Sequence, residues 1–189
     1  MNHPDSTDSA TARLRQLTEY HREHPVTSAE GHSYISSAPR GTITSPPLPF
    51  NVRVLEHIDR TVAEVITTTR EANPDPGPIP DDNADIYRWC VEATANAPEA
   101  VQQRRDTLEY RHRLEHALAA GDTTVIRRHR CPDCQAPGLF WRNNISKAMC
   151  VNRHCARRTS DGRHRTFSLA ELAHEYVQGR KNLRQVRAT

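Results

Sequence analysis

Apolar residues in the middle of the chain recur at intervals of three and four, which is the spacing of one face of an α-helix. The longest such run predicts a helix from Asn51 to about Ala72, with the Asn51 side chain capping the first turn. The apolar face of this helix is predicted to comprise Val54, Leu55, Ile58, Val62, Val65 and Ile66.

A proline-rich link, NPDPGPIPDDN, follows this helix. Its four prolines between positions 74 and 80 lack backbone donors and favour an extended chain. A second helix is predicted to begin near Asp82 or Asn83 and to end before Pro98. The face that it buries is predicted to comprise Ile86, Trp89, Cys90 and Ala93, with Cys90 a buried structural thiol.

A third helix is predicted from Pro98 to Ala120, where Gly121 can adopt the left-handed conformation that ends helices. This helix is mostly polar. His112 and His116 lie four residues apart on it, and we interpret them as part of a solvated face rather than as metal ligands. The weak apolar stripe comprises Val101, Leu108, Leu114 and Leu118.

The segment before these helices, residues 1–49, is rich in Ser, Thr, His and Pro. Leu14 and Leu17 lie three apart and would allow a short helix around Arg13 to Glu23. The composition nevertheless predicts that the whole segment is a flexible tail.

Four of the five cysteines stand in two close pairs, Cys131 with Cys134 and Cys150 with Cys155, separated by fifteen residues. Two strand-like runs, GLFWR and ISKAM, lie between the pairs, and the Asn143–Asn144 dipeptide between them tolerates the positive φ of a tight turn. A hairpin would therefore bring both pairs to one ion and complete a tetrahedron.

These residues resemble a zinc ribbon over about 127–178. The resemblance implies one structural Zn²⁺ held by Cys131, Cys134, Cys150 and Cys155, with no open coordination position for catalysis. The chain departs from the ribbon pattern at two points. Gln135 stands where ribbons usually have glycine, and the second knuckle, CVNRHC, has a longer gap that offers His154 as a rival fourth ligand.

A helix after the second knuckle has a well-defined start. Asp161–Gly162 predicts a turn into a third strand from Arg163 to Phe167, and Ser168 with Glu171 forms a capping-box pattern. Phe167 and Leu172 hold the positions of a hydrophobic staple. The stripe of this helix is predicted to pack on the ribbon and to end at Gly179; it comprises Leu169, Leu172, Ala173, Tyr176 and Val177.

Charge is divided unevenly along the chain. Residues 1–121 carry 12 basic and 18 acidic side chains, whereas residues 122–189 carry 14 and 5, for net charges of −6 and +9. A basic module with Phe140, Trp141 and His154 for stacking is typical of nucleic-acid binding, and backbone or single-strand contact is the expected mode. The predicted contacts are Arg127, Arg128, Arg130, Arg142, Lys147, Arg153, Arg157, Arg158, Arg163 and Arg165. The alternative is an arginine coat that reflects GC-rich codons, since the chain has 24 arginines and 2 lysines.

The composition limits the class of protein. Only 35% of residues are hydrophobic and the mean hydropathy is −0.80, so part of the chain is expected to be disordered and none to cross a membrane. We predict an α+β protein in a reducing cytoplasm. Its parts are a tail at 1–49, a helical domain at 50–121 with the link at 73–82, a zinc ribbon with its helix at 122–179, and a basic tail at 180–189.

The combination of LPFNVRVLEHID, the proline-rich link and CVNRHC…RTFSLAELA resembles uncharacterised proteins of actinobacteria and their phages. That resemblance implies a phage or mobile-element context. We expect a non-enzymatic accessory protein that binds nucleic acid or a protein of the transcription or recombination machinery, and that self-associates through its helices. The alternative is a protein-interaction adaptor whose zinc is purely structural.

Overall fold

The computed structural model describes residues 9–23, 50–156 and 164–188, and these ranges form an α+β fold with a three-stranded antiparallel sheet. The helices are α1 Ala10–Glu23, α2 Phe50–Ala72, α3 Ile86–Ala93, α4 Glu99–Ala119, α5 Thr124–Arg127, α6 Arg153–Ala156 and α7 Leu169–Ala188, with a 3-10 turn at Asn83–Asp85 before α3. The strands are β1 Leu139–Arg142, β2 Lys147–Cys150 and β3 Thr166–Phe167.

Helix α1 belongs to the helical core, so the prediction of a flexible tail is wrong over this segment. Leu14 is fully buried and Leu17 is 4% exposed, because both pack in one cluster with residues of α2 and α3. The Arg13 guanidinium also forms an ion pair of 3.1 Å with Asp122, just after α4. The remainder of the predicted tail, 1–8 and 24–49, lies outside the described residues.

Helix α2 ends at Ala72 as predicted, but it already includes Phe50, so Asn51 is inside the helix and is not the residue before it. Its buried face contains two threonines that the apolar pattern omits. The hydroxyls of Thr61 and Thr69 donate to the carbonyls of His57 and Val65, 2.7 Å away in each case, which satisfies them inside the core. The prediction that Leu55 belongs to the buried stripe is wrong. Leu55 is exposed and lies beside the buried stripe of α2.

The ends of α3 and α4 follow the predicted signals. Asp82 Oδ1 accepts a hydrogen bond of 2.9 Å from the Ala84 amide, which starts the turn before α3. Gly121 has φ +82°, and the amides of Gly121 and Asp122 donate to Leu118 and Ala117. This pair of bonds is a Schellman motif, and it ends α4 at the predicted glycine.

The sheet has the order β1-β2-β3, and its inner face packs against α4 and α7. Leu139 pairs with Cys150, and Ala148 pairs with both Trp141 and Phe167, so these side chains point to one face. The positive φ of the hairpin turn occurs at Ser146, at +48°, and not in the predicted Asn143–Asn144 pair. The turn comprises residues 143–146, and Ser146, its last residue, is the one in the left-handed conformation.

Helix α7 starts with the predicted capping box. The Ser168 amide donates to Glu171 Oε2 at 2.6 Å, and the Glu171 amide donates to Ser168 Oγ at 3.2 Å. The hydrogen bonds that the Ser168 amide and hydroxyl donate to the Glu171 carboxylate lower its pKa. Phe167 and Leu172, the two staple residues, lie in the same buried cluster.

The predicted end of α7 at Gly179 is wrong, and residues 180–188 continue the helix instead of forming a separate tail. A glycine inside a helix costs only about 1 kcal/mol relative to alanine. Contacts with α4 on both sides of Gly179 favour continuation: Tyr176 stacks on Tyr110 with centroids 3.8 Å apart, and Lys181 pairs with Glu99 at 2.6 Å. Helix α4 therefore contributes to two buried clusters: Leu114 and Ala117 pack with the sheet and α7, and Leu108 and Ala119 pack against the cluster of α1, α2 and α3.

Candidate metal centre

The four cysteines of the two predicted pairs converge on one point. Cys131 Sγ lies 3.8 Å from Cys155 Sγ, and Cys134 Sγ lies 3.8 Å from Cys150 Sγ. All four sulfur atoms lie within 4.8 Å of one another. None of the cysteines forms a disulfide. The cluster could therefore hold one metal ion.

The first knuckle is a tight turn closed by backbone hydrogen bonds. The Gln135 amide donates to the Cys131 carbonyl at 2.8 Å, and the Cys131 amide donates to the Ala136 carbonyl at 2.9 Å. Gln135 has φ +58°, in the left-handed region that favours glycine. The departure from the ribbon pattern noted at this position is thus a non-glycine residue in a glycine conformation.

The longer second knuckle contains one turn of helix, α6, which decides which side chain reaches the cluster. Asn152 starts this turn, because its Oδ1 accepts from the His154 amide at 2.9 Å and its carbonyl accepts from the Cys155 amide at 3.0 Å. Neighbouring residues of a helix point about 100° apart. Cys155 accordingly lies in the cluster at 1% exposure, whereas His154 is exposed and outside it.

Two further contacts hold the knuckles in place. The Asn152 side-chain amide donates to Cys134 Sγ at 3.6 Å, which links the second knuckle to a sulfur of the first. Arg165, just before β3, forms an ion pair with Asp133 in the first knuckle. Asn152 was not predicted as part of the site, although an Asn that follows a cysteine pair member and precedes a helical turn is a capping signal.

The thiols differ in their tendency to ionise. A backbone hydrogen bond from Ala136 lowers the pKa of Cys134 to about 7. Burial raises the pKa of Cys150 to about 11 and also raises the pKa of Cys155. Metal binding requires deprotonated sulfur, and a divalent cation supplies the charge that stabilises buried thiolates. Four sulfur ligands fill a tetrahedral ion, so this arrangement is suited to holding a fold together.

The predicted nucleic-acid contacts that can be located lie on the surface around this cluster. Arg127, Arg128, Arg130, Arg142, Lys147, Arg153 and Arg165 are all exposed. Arg165 is paired with Asp133, and Arg130 donates to the Gln135 carbonyl at 3.1 Å. Arg157, Arg158 and Arg163 lie outside the described residues.

The three residues predicted to stack on bases are not equivalent. Phe140 is 42% exposed on the outer face of the sheet, with the Arg127 guanidinium 5.1 Å from its ring centroid. Trp141 is the next residue of the strand and so points to the inner face, where it packs against the core, which corrects its predicted stacking role. His154 is exposed on α6.

A second polar cluster, buried among the helices, was missed by the sequence analysis. His112 and His116 have no exposed surface, so their interpretation as a solvated face is wrong. His57 Nε2 lies 2.9 Å from His116 Nδ1, His116 Nε2 lies 2.9 Å from Tyr87 Oη, and Tyr87 Oη lies 3.1 Å from His112 Nδ1. We refer to His57, His116, Tyr87 and His112 as the His–Tyr chain.

The ends of the His–Tyr chain determine its direction. At one end the Arg60 guanidinium, which can only donate, lies 2.9 Å from His57 Nδ1. At the other end the Glu64 carboxylate, which can only accept, lies 3.1 Å from His112 Nε2. Arg111 lies 3.1 Å from that nitrogen as well, and in this arrangement it donates to Glu64 instead. One set of neutral tautomers then gives every member of the chain its hydrogen-bond partners. Each member donates to the next one along the chain, and His112, the last, donates to Glu64.

Burial keeps the histidines of this chain neutral. It lowers the pKa of His57 and of His112 to about 4 and that of His116 to about 2. Burial also raises the pKa of Tyr87, so its hydroxyl stays protonated. The ring nitrogens lie in a line and not around a point, and the chain has no outlet toward the cysteine cluster among the contacts described. Its role is to fix α2, α3 and α4 against one another.

Within residues 9–23, 50–156 and 164–188, every helix is too short or too polar to span a bilayer. Compared with protein-family models, with curated proteins and with solved structures, the chain matches none of them at a significant level.

Proposed function

We propose that the four cysteines hold one structural Zn²⁺ in a module of the zinc-ribbon type. The observation that supports zinc is the spacing of the sulfur atoms. A regular tetrahedron with zinc–sulfur bonds of about 2.3 Å has edges of about 3.8 Å. Two of the six sulfur–sulfur separations, Cys131–Cys155 and Cys134–Cys150, are 3.8 Å, and all four sulfurs lie within 4.8 Å of one another. Tetrahedral tetrathiolate sites also accept iron, so the metal must be identified by measurement.

Elemental analysis of the full-length chain, purified without added metal, tests this assignment. The expected result is about one zinc and no iron per chain. Cys155→Ser should lower the zinc content and unfold the knuckle, and His154→Ala is the matched control, since it changes the neighbouring residue outside the cluster. Full zinc content in Cys155→Ser together with loss in His154→Ala would show that the histidine is the fourth ligand.

The metal-held module serves a non-enzymatic accessory protein that binds nucleic acid. The support for this proposal is the exposed set of cations around the sheet and knuckles. In the described part of the chain, Arg127, Arg142, Lys147 and Arg153 have no carboxylate within ion-pairing distance. Unpaired cations that surround an exposed aromatic ring favour phosphate contact. A transcription or recombination role in a phage or mobile element follows only from the resemblance and stays a prediction.

A salt-dependent binding titration tests the nucleic-acid proposal. Fluorescence anisotropy with labelled duplex and single-stranded DNA should show binding at low salt, with log K falling linearly as log salt rises. The double variant Arg142→Gln/Lys147→Gln should weaken binding and flatten the salt dependence. Absence of binding to either DNA by the zinc-loaded protein would refute the proposal.

One observation favours a second candidate, a protein-interaction adaptor with a purely structural zinc. Two apolar side chains of the cysteine module are exposed: Val151 in the second knuckle at 44%, and Ile145 at 48% in the hairpin turn, at the end of the strands away from Cys150. Exposed apolar side chains of this kind are used at protein interfaces. Failure of the DNA titration would favour this candidate, and Ile145→Asp would then be the variant expected to disrupt the complex.

A further inference from the structure

The outer face of the sheet combines an aromatic ring with several cations. Strand pairing places Phe140 opposite Met149 and places Met149 opposite Thr166, so these three side chains form a row across the three strands. Arg142 and Lys147 are paired directly with each other at the next outward-facing position. Directly paired residues project from the same face of a sheet.

Phe140 is exposed although the hydrophobic core is adjacent. The inward-facing residues of the same strand, Leu139 and Trp141, pack in the core, whereas 42% of the Phe140 surface remains accessible with the Arg127 guanidinium over the ring. A base would therefore stack on the ring face that Arg127 does not cover. Phe140 lies on β1, an edge strand of the sheet, and its accessible surface is not part of the core. It is suited to contact with a ligand that has an apolar face.

The charge around the ring specifies the chemistry of that ligand. Arg127, Arg142 and Lys147 lie around Phe140, and in the part of the chain that the structure describes none of them is within ion-pairing distance of a carboxylate. Glu171 is the acidic residue whose pKa the Lys147 charge helps to lower. A protein partner that covered the ring with an apolar surface would bury these cations without compensation, which is unfavourable. A polyanion whose units carry flat aromatic groups satisfies both features.

We propose that this outer face binds single-stranded nucleic acid by stacking a base on the Phe140 ring while the flanking cations contact phosphates. This inference rests on the proposed nucleic-acid function and narrows it to unpaired strands. Bases in a duplex are already stacked on both faces and leave no free face for Phe140, whereas an unpaired base does. The acidic Glu171 and Glu175 on α7 also make that helix unsuited to a DNA groove.

The experiment separates the contribution of the bases from that of the phosphates. Affinities of the zinc-loaded full-length chain would be measured by anisotropy for oligo(dT), for an abasic oligomer of the same length and charge, and for a duplex. Oligo(dT) is expected to bind with the highest affinity, and the abasic strand and the duplex with lower affinities. Phe140→Ala should weaken oligo(dT) binding about 5- to 150-fold, the range of one aromatic–base stack, and abolish the preference over the abasic strand.

Matched variants keep this result specific. Ile145→Ala removes another exposed apolar side chain of the same hairpin and should leave the affinity unchanged. Phe140→Trp should retain the preference for bases. Lys147→Gln should reduce the salt slope by about 0.7, the value for one phosphate contact on a single strand, without changing the base preference. Zinc content and circular dichroism establish that each variant is folded.

The outcomes distinguish this inference from the proposed function. If the wild-type chain binds no nucleic acid at low salt, both are refuted. If it binds but prefers the duplex, or if Phe140→Ala behaves like Ile145→Ala, the stacking site is refuted and the proposed nucleic-acid function stands on phosphate contacts alone.

Discussion

Replacing Tyr87 with phenylalanine removes a single oxygen atom from the His–Tyr chain. The hydroxyl lies between two rings, 2.9 Å from His116 Nε2 and 3.1 Å from His112 Nδ1. Both histidines have no exposed surface, so water cannot take its place without opening the helices. The variant therefore leaves one buried donor and one buried acceptor without partners.

The expected loss of stability follows from these two groups. An unsatisfied buried polar group costs about 1–3 kcal/mol, so Tyr87→Phe should lower the free energy of unfolding by about 2–6 kcal/mol. This is a large part of the 5–15 kcal/mol that is typical of a small protein. With an m-value of about 2 kcal/mol per M, the urea midpoint should fall by about 1–3 M.

Urea unfolding followed by circular dichroism measures this change, and Tyr176→Phe provides the control. Tyr176 is partly buried and stacks on Tyr110, and among the described residues its hydroxyl has no hydrogen-bond partner. The control should change stability by no more than about 0.5 kcal/mol. If the two variants are equally stable, the hydroxyl of Tyr87 does not bridge the two histidines and the proposed direction of the chain is wrong.

Three other predictions concern the backbone, the capping box and pH. Gln135→Gly should raise stability by about 1 kcal/mol, because Gln135 has φ +58°. Gly138→Ala should lower stability, because φ is +84° there and strains an alanine although no atom lies near the added Cβ. Urea midpoints of samples with equal zinc content measure both changes. Ser168→Ala should cost about 1 kcal/mol through loss of the α7 cap, and amide hydrogen exchange should increase in the first turn of α7 and not in α4. Burial holds the pKa of all three histidines of the His–Tyr chain at about 4 or below. In the unfolded chain the histidine pKa values are near 6.5, so the unfolded state binds protons first as the pH falls. The free energy of unfolding should therefore decrease as the pH drops from about 6.5 to 4. Each histidine lowers the free energy of unfolding by up to about 1.4 kcal/mol per pH unit. Glu115 opposes this loss, because burial raises its pKa and the folded chain therefore binds a proton there first. Urea midpoints between pH 7.5 and 5 test this, and a flat profile would contradict it.

Features contained in one short segment could be predicted from the sequence. The glycine that ends α4, the capping box of α7 and the turn at Asp82 each depend on residues within five positions of one another. The convergence of the cysteines was predictable for a related reason. Two close pairs joined by a hairpin need only a short connection to meet, and the strands β1 and β2 provide it.

Features that depend on distant partners could not be predicted in the same way. Helix α1 has only two strongly buried leucines, Leu14 and Leu17, and its burial is supplied by α2, α3 and α4, more than 30 residues away. Gly179 is a helix-ending residue by local criteria, but contacts with α4 outweigh its preference. The choice between Cys155 and His154 depended on the short helix α6, which a gap of four residues does not reveal.

Helix α4 shows why an apolar stripe is an incomplete criterion for burial. Residues 112 and 116 point within about 40° of each other on a helix, and residues 114 and 117 point to the opposite side. The structure buries both sides: His112 and His116 face the His–Tyr chain, and Leu114 and Ala117 face the sheet that holds the cysteines. A helix with a single buried face would expose one of these sides to solvent. The amphipathic criterion assigns the histidine side to solvent, because histidine is the more polar residue. They are buried because Tyr87, His57 and Glu64 satisfy them, so this largely polar helix joins the helical core to the cysteine module.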